Sequence, residues 1–293
     1  MSVTNRRFAV ATLLTGVIAG LVGLACIHLL HWIQALAWDM HSGTLLEAVS
    51  AASPARRVLN LVLGGILGAA SWFFLFRRSR AITSVSAAVG GTPMPPLRAT
   101  WHALTQVLIV GLGASVGREV APREMSAAFS AAAADRLGLT PEDRRIIVAC
   151  GAGAGLAAVY SIPISGAIYT LEILLVSRSR RAVAAAFCTS AIAVLISTGF
   201  TRPTPFYSVP TLTPSLSLTV FAALVGPLLG ATGWAFKQAV TRVGAARPRD
   251  WRLLALLPTA SFLVGIIAVW VPSVLGNGQA SAQTQFDAVW ATG

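Results

Sequence analysis

Five long apolar runs constrain this chain more than any other feature of its sequence. They are residues 8–30, 58–76, 182–200, 216–236 and 253–272. Each run reaches the roughly 20 apolar residues that a helix needs to cross a bilayer. Charged residues make up only 11% of the chain, whereas a soluble domain carries about 25%. The sequence therefore predicts an all-α membrane protein, folded as a polytopic helix bundle.

Basic residues are concentrated in the short segments between the apolar runs. The formal net charge is +12, and Lys and Arg cluster at 77–80, 178–181 and 237–252. Loops on the cytoplasmic side of a membrane carry such an excess. The pattern predicts a cytoplasmic N-terminus, which contains Arg6 and Arg7, and places the loop at 201–214 outside. It also argues against nucleic acid as a partner.

The apolar pieces between residues 103 and 176 are too short to cross a membrane squarely. They cover 103–114, 121–134, 146–160 and 163–176. Interrupted apolar segments are the best sequence indication of a transporter's binding site. Lipid cannot pair the backbone groups at a break, so each break must be buried in protein or line a wet cavity. We therefore expect broken and re-entrant helices in this part of the chain.

Three helix starts are marked in the same part of the chain. Pro122 and Pro163 fit the first helical position, where the missing N–H costs nothing. Thr140 fits an N-cap, because Pro141 follows it. The spacing from Thr140 to Asp143 also fits a capping box.

The segment "GREVAPRE", residues 117–124, places charged groups between two uncharged stretches. A helix that starts within it leaves its first N–H groups unpaired and partly positive. Such a helix end is an anion site, and the backbone amides of Gly117, Arg118 and Val120 can point into the same space. Glu119 can occupy that site as a carboxylate and leave it when protonated. The segment predicts an anion path gated by Glu119.

Two other interpretations compete with this one. In the first, the charges are ion pairs at a helix end, with Arg118 bound to Glu119 or Glu124 and Arg123 bound to Glu124. In the second, Glu119 and Glu172 bind a transported cation, although helix N-termini disfavour cations.

Packing accounts for most of the remaining distinctive residues. "GAGAGLAA" at 151–158 repeats small residues every four positions, a spacing that lets helix backbones approach closely. Cys26, Cys150 and Cys188 lie in apolar runs without metal-ligand spacing. Nucleophile elbows, phosphate loops and zinc spacings are not found in the sequence. We therefore expect no enzyme activity, no cofactor and no bound metal.

Two blocks of the chain together resemble a known family. "GREVAP" at 117–122 is similar to the GREGP signature of CLC chloride channels and proton-coupled antiporters. "GAGAGLAAVYSIPISGAIYTLEIL" at 151–174 is similar to the helices that follow in that family, with their GLAAxFxxPxxG pattern. The blocks occur in the expected order, and the resemblance runs from about residue 15 to about residue 285.

The resemblance implies a CLC-like inverted-repeat architecture. Residues 1–205 form the first repeat and residues 206–293 begin a second, incomplete one. It implies a homodimer in a bacterial-type inner membrane that carries chloride or fluoride, alone or in exchange for protons. Glu119 takes the place of the family's gating glutamate. "PMP" at 93–95 is similar to a motif of the bacterial branch that exports fluoride.

The chain also departs from the family pattern. The GSGIP loop is absent, and Arg80 or Ala81 stands where its pore serine would be. The antiporters' internal proton glutamate falls at Ile173, beside Glu172, which implies a channel or a fluoride-type antiporter. "LGNGQ" at 275–279 is similar to the start of the second repeat's counterpart of the GSGIP loop. The later GxFxP loop and the pore tyrosine have no positions in this sequence, which implies either a fragment of a longer product or a remnant with an incomplete pore. The alternative to halide transport is a non-transporting, truncated CLC-like scaffold.

Overall fold

The computed structural model describes residues 3–78, 82–200, 207–209, 215–246, 248 and 250–291. Those residues form twelve α-helices and no β-strand. The helices are α1 Val3–Trp38, α2 Leu45–Ala51, α3 Pro54–Arg78, α4 Val85–Val89, α5 Pro96–Gly111, α6 Val120–Arg136, α7 Pro141–Tyr160, α8 Pro163–Tyr169, α9 Arg180–Phe200, α10 Leu216–Ala246, α11 Arg252–Trp270 and α12 Gln279–Ala291. A π-helix, Thr170–Leu175, follows α8, and a short 3₁₀ turn, Pro272–Val274, follows α11. Arg80, Ala81 and most of the loop at 201–214 lie outside the described residues.

Five helices are long and apolar enough to cross a membrane: α1, α3, α9, α10 and α11. They coincide with the five predicted runs, except that α11 ends at Trp270. Pro272, two residues further on, begins the 3₁₀ turn instead. The all-α, multi-pass class predicted from composition is confirmed.

Helices α6 and α7 lie at the centre of the bundle. α6 contributes to both large apolar clusters, one with α4, α7 and α9 and the other with α1, α3 and α5. The small residues of α7 allow the contact, because a Cβ at Gly155 would lie 2.5 Å from the Pro122 carbonyl. A Cβ at Gly151 would collide with Ser130. The close approach predicted from "GAGAGLAA" is confirmed.

Two of the three predicted helix starts are found where the sequence places them. Pro163 is the first residue of α8. Thr140 caps α7, and its hydroxyl accepts a hydrogen bond of 3.2 Å from the Asp143 amide. The capping box is wrong, because the Asp143 carboxylate accepts from Arg181 Nε at 2.7 Å and Nη2 at 3.0 Å. A charged donor held in a fork outcompetes a single backbone amide for that carboxylate.

The third predicted start is wrong by two residues, because α6 begins at Val120 and Pro122 is its third residue. A proline is tolerated there since none of the first four N–H groups of a helix has an intrahelical partner. Glu119 becomes the N-cap residue as a result.

The broken helices predicted for this tract are present. Ser161 has a left-handed φ of 55° and ends α7. α8 then runs for only 7 residues before the π-helix. Val176, with a φ of 49°, ends the π-helix in the same left-handed way.

Arg57 fastens α11 to the first part of the chain. This side chain is 7% exposed. It donates to the carbonyls of Val49 and Ser50, at 2.7 Å each, and of Ala268 and Val269, at 3.2 and 3.3 Å. The guanidinium therefore joins the ends of α2 and α11, and it fixes where the following segment, 271–279, begins.

Candidate anion site

Glu119 caps α6 from a half-buried position, but its side chain makes no hydrogen bond to the first turn of the helix. Its carboxylate lies back over Gly117, where any Cβ would collide with it. The Tyr160 hydroxyl donates to Glu119 Oε1 at 2.6 Å. A glycine at 117 is needed for this arrangement, because it leaves room for the carboxylate.

Arg118 points to the same place from the neighbouring position. Its guanidinium carbon lies 5.4 Å from the centroid of the Tyr160 ring, which is a cation–π distance. Its Nη2 donates to Gln279 Oε1 at 3.4 Å. Arg118 therefore packs on the face of the Tyr160 ring, and Glu119 accepts a hydrogen bond from the hydroxyl of the same ring.

The side chains of Glu119, Tyr160 and Gln279 face a cavity of about 410 Å³. Its lining residues come from distant parts of the chain: Glu119, Leu156, Tyr160, Ile162, Tyr207, Asn277 and Gln279. A backbone hydrogen bond of 3.0 Å from Gly276 N to Gly113 O joins the segment before α6 to the segment that contributes Asn277 and Gln279. Both of these glycines have left-handed φ angles, 97° at Gly113 and 82° at Gly276, which side chains rarely adopt.

The electrostatics of the cavity suit a negative ion. The first amides of α6, including that of Val120, have no intrahelical partners and carry partial positive charge. The Arg118 guanidinium adds a full positive charge next to Tyr160 and Gln279, two of the lining residues. The amide groups of Asn277 and Gln279 can donate without adding charge.

The ion pairs proposed as an alternative for "GREVAPRE" are wrong for Glu124 and Arg123. Within the described part of the chain, Glu124 Oε2 pairs with His102 Nδ1 at 2.6 Å. Arg123 Nη1 donates to the Tyr169 hydroxyl at 2.9 Å. Glu119 is the acidic residue of the segment that faces the cavity.

Glu172 lies apart from this site. It belongs to the π-helix and is exposed. Among the described residues, no group of three or more His, Cys, Asp or Glu side chains is placed to hold a metal ion. Glu119 lines the cavity and Glu172 is not among its lining residues, so the cavity does not offer the pair of carboxylates that the cation hypothesis requires.

Sequence reasoning missed the side chains that surround Glu119. Tyr160 ends the "GLAAVY" segment, where it had been assigned no role. Asn277 and Gln279 belong to "LGNGQ", whose likeness to a pore loop was the one available signal for them.

Comparison with known proteins agrees with this geometry. Residues 64–292 match the family described as voltage gated chloride channel. The voltage-gated ClC-type chloride channel ClcB of Escherichia coli O81 (strain ED1a) is 28% identical over 299 residues, which cover 95% of this chain and 68% of that protein. ClcB of Escherichia coli strain SMS-3-5 is similar to the same extent, 28% over 299 residues with the same coverage of both chains.

A crystal structure of a slow cyanobacterial Cl⁻/H⁺ antiporter has the same fold, with a TM-score of 0.74 at 20% identity. The match covers 93% of this chain and 66% of the antiporter chain. This chain thus spans about two thirds of the length of the proteins it matches. The family match covers well over half of the 293 residues, and the chain belongs to the CLC family of voltage-gated chloride channels.

Proposed function

We propose that this chain carries halide ions across the membrane by a CLC-type pathway gated by Glu119. One observation carries the proposal: the Glu119 carboxylate faces a cavity of about 410 Å³ at the amide end of α6. A carboxylate there competes with a halide for the same positive surroundings. When protonated it is neutral and no longer competes. The backbone amides of Gly117, Arg118 and Val120 are the proposed ligands of the halide.

The transported ion is chloride by analogy with the named relatives, and fluoride is the alternative that "PMP" at 93–95 suggests. Met94 is buried, 5% exposed, which is what a packing residue shows. Competition between the two halides for flux distinguishes them. A proton flux measured in the same vesicles distinguishes an antiporter from a channel.

The assembly and setting are also proposals. We infer a homodimer in a bacterial inner membrane, with the N-terminus in the cytoplasm. The five apolar helices support a multi-pass protein, and the arginine clusters support the orientation. The division into a first repeat at 1–205 and the beginning of a second at 206–293 is retained as a prediction.

The test is halide flux from liposomes that contain the 293-residue chain. Wild-type flux should change with pH, because protonation removes the negative charge of Glu119. Glu119→Gln should hold flux near its acid level at every pH. Glu142→Gln is the matched control, since this carboxylate is exposed at the start of α7, 3.7 Å from Arg145. Equal pH dependence in the wild type and in Glu119→Gln would remove Glu119 from the mechanism, and a complete lack of flux would favour the non-transporting scaffold.

A further inference from the structure

We propose that Tyr160 is the positioning residue of the Glu119 gate: its hydroxyl holds the carboxylate in the cavity and sets the pH at which it is released. The inference rests on the proposed function in describing Glu119 as a gate. The contact between the two side chains is independent of it.

The hydrogen bond is of the strong kind. The Tyr160 oxygen lies 2.6 Å from Glu119 Oε1, a length typical of an O–H donor facing an ionised carboxylate. Such bonds are roughly twice as strong as neutral ones. Protonation of Glu119 removes the charge assistance and weakens the bond. Tyr160 therefore stabilises the seated, ionised state of Glu119 over the protonated one.

The hydroxyl is presented from a fixed point. Tyr160 is the last residue of α7, whose preceding two turns are buried. Ser161 turns the chain in the left-handed conformation directly after it. The Arg118 guanidinium lies 5.4 Å from the ring centroid and restricts rotation of the ring. A donor held in this way can position a neighbouring carboxylate, because it loses little freedom when the bond forms.

The charged and titratable groups near Glu119 are few among the described residues. Arg118 comes from its own segment, Tyr160 from α7, and Tyr207 from across the cavity. On α1, His31 lies within electrostatic range of Arg118. His102 of α5 is engaged by Glu124 instead. Tyr160 is the hydroxyl that the structure shows bound to the Glu119 carboxylate.

The test compares Tyr160→Phe with the wild type. The change removes one oxygen and keeps the ring beneath Arg118. Hydrogen bonds to a charged form favour that form. Their loss should move the midpoint of pH-dependent flux upward by about one to two pH units. Tyr169→Phe is the matched control, because its hydroxyl accepts from Arg123 at 2.9 Å rather than binding a carboxylate. It should leave the midpoint unchanged.

A second measurement does not depend on transport. Infrared titration of the purified chain follows the protonated-carboxyl band that disappears in Glu119→Gln. The midpoint of this band should rise by the same amount in Tyr160→Phe and not in Tyr169→Phe. A wild-type midpoint in Tyr160→Phe would overturn the inference. A shifted band in a chain that carries no halide would support the role of Tyr160 and overturn the proposed function.

Discussion

His102 of α5 and Glu124 of α6 form a buried hydrogen-bonded pair, with 2.6 Å between Nδ1 and Oε2. The two side chains are 16% and 11% exposed. The Gln106 amide nitrogen lies 2.9 Å from the same ring nitrogen. A buried polar group that loses its partner costs about 1–3 kcal/mol. The pair therefore fastens α5 to the helix whose N-cap is Glu119.

Separate and joint replacement of this pair should reveal strong coupling. We expect Glu124→Leu and His102→Leu each to lower the free energy of unfolding, because the first removes the carboxylate partner of His102 and the second leaves the Glu124 carboxylate without its ring partner. The double variant should lose less than the sum, by about 1–3 kcal/mol. The free energy of unfolding is measured in mixed detergent for the wild type, the two single variants and the double variant. The exposed pair Arg145 and Glu142, 3.7 Å apart, is the control and should couple by less than about 0.5 kcal/mol. Additive losses at His102 and Glu124 would contradict the assignment.

Gly155→Ala should destabilise the contact between α6 and α7. Its new Cβ would lie 2.5 Å from the Pro122 carbonyl, a backbone atom that cannot move without displacing the start of α6. Overpacking of this kind costs about 1–3 kcal/mol. Thermal unfolding measures the loss, and halide flux should fall with it. Gly230→Ala in α10 is the control, because a Cβ there meets nothing within 4 Å. A variant at 155 as stable as the one at 230 would show that the helices are not in close contact.

Arg57→Lys should loosen the segment that follows α11. An ammonium group lacks the planar fork that reaches four carbonyls from two helix ends. We expect faster hydrogen exchange within residues 271–276, where the amides of Val271, Val274 and Leu275 are bonded in turns at the end of α11 and that of Gly276 is bonded to Gly113 O. Arg56→Lys is the neighbouring control, since Arg56 donates to Ala37 O at 2.8 Å, at the end of α1. Unchanged exchange at 271–276 in Arg57→Lys would rule out this role.

Asp143→Asn should weaken the start of α7. The carboxylate is 5% exposed and accepts two hydrogen bonds from Arg181, at 2.7 and 3.0 Å. Loss of its charge should lower the free energy of unfolding by about 1–3 kcal/mol. The loss should shrink only in part in high salt, because the Asp143 side chain is buried while that of Arg181 is partly exposed. Glu142→Gln, at the exposed neighbouring position, should cost less than about 0.5 kcal/mol. Equal losses at 142 and 143 would contradict the prediction.

Residue types predicted the helices well, because length and local chemistry decide them. The apolar runs marked the five spans, and Thr140 and Pro163 marked two helix starts. Pro122 misled, since proline favours the first helical position but is tolerated later in the unpaired first turn of a helix. Local signals determine that a helix begins near 120, but leave its first residue open.

The residues that line the cavity could not be predicted in the same way. Glu119 meets Tyr160, and Arg118 meets Gln279, across long stretches of sequence, and no periodicity reports such contacts. The pairing of Glu124 with His102 was missed for the same reason. The sequence paired Glu124 with the arginines near it in the chain, whereas the packing of α5 on α6 places His102 against it.

The π-helix at Thr170–Leu175 has a consequence for residue-by-residue comparison. Each of its hydrogen-bonded loops contains one residue more than an α-helical loop, so it accommodates a single insertion without displacing what lies on either side. Glu172 and Ile173 are adjacent in the sequence, so they are one residue apart. The family resemblance implies the internal proton position at Ile173, so an offset of one residue within this π-helix decides whether Ile173 or Glu172 is compared with it. Numbering and location therefore need to be compared separately for every position after Thr170.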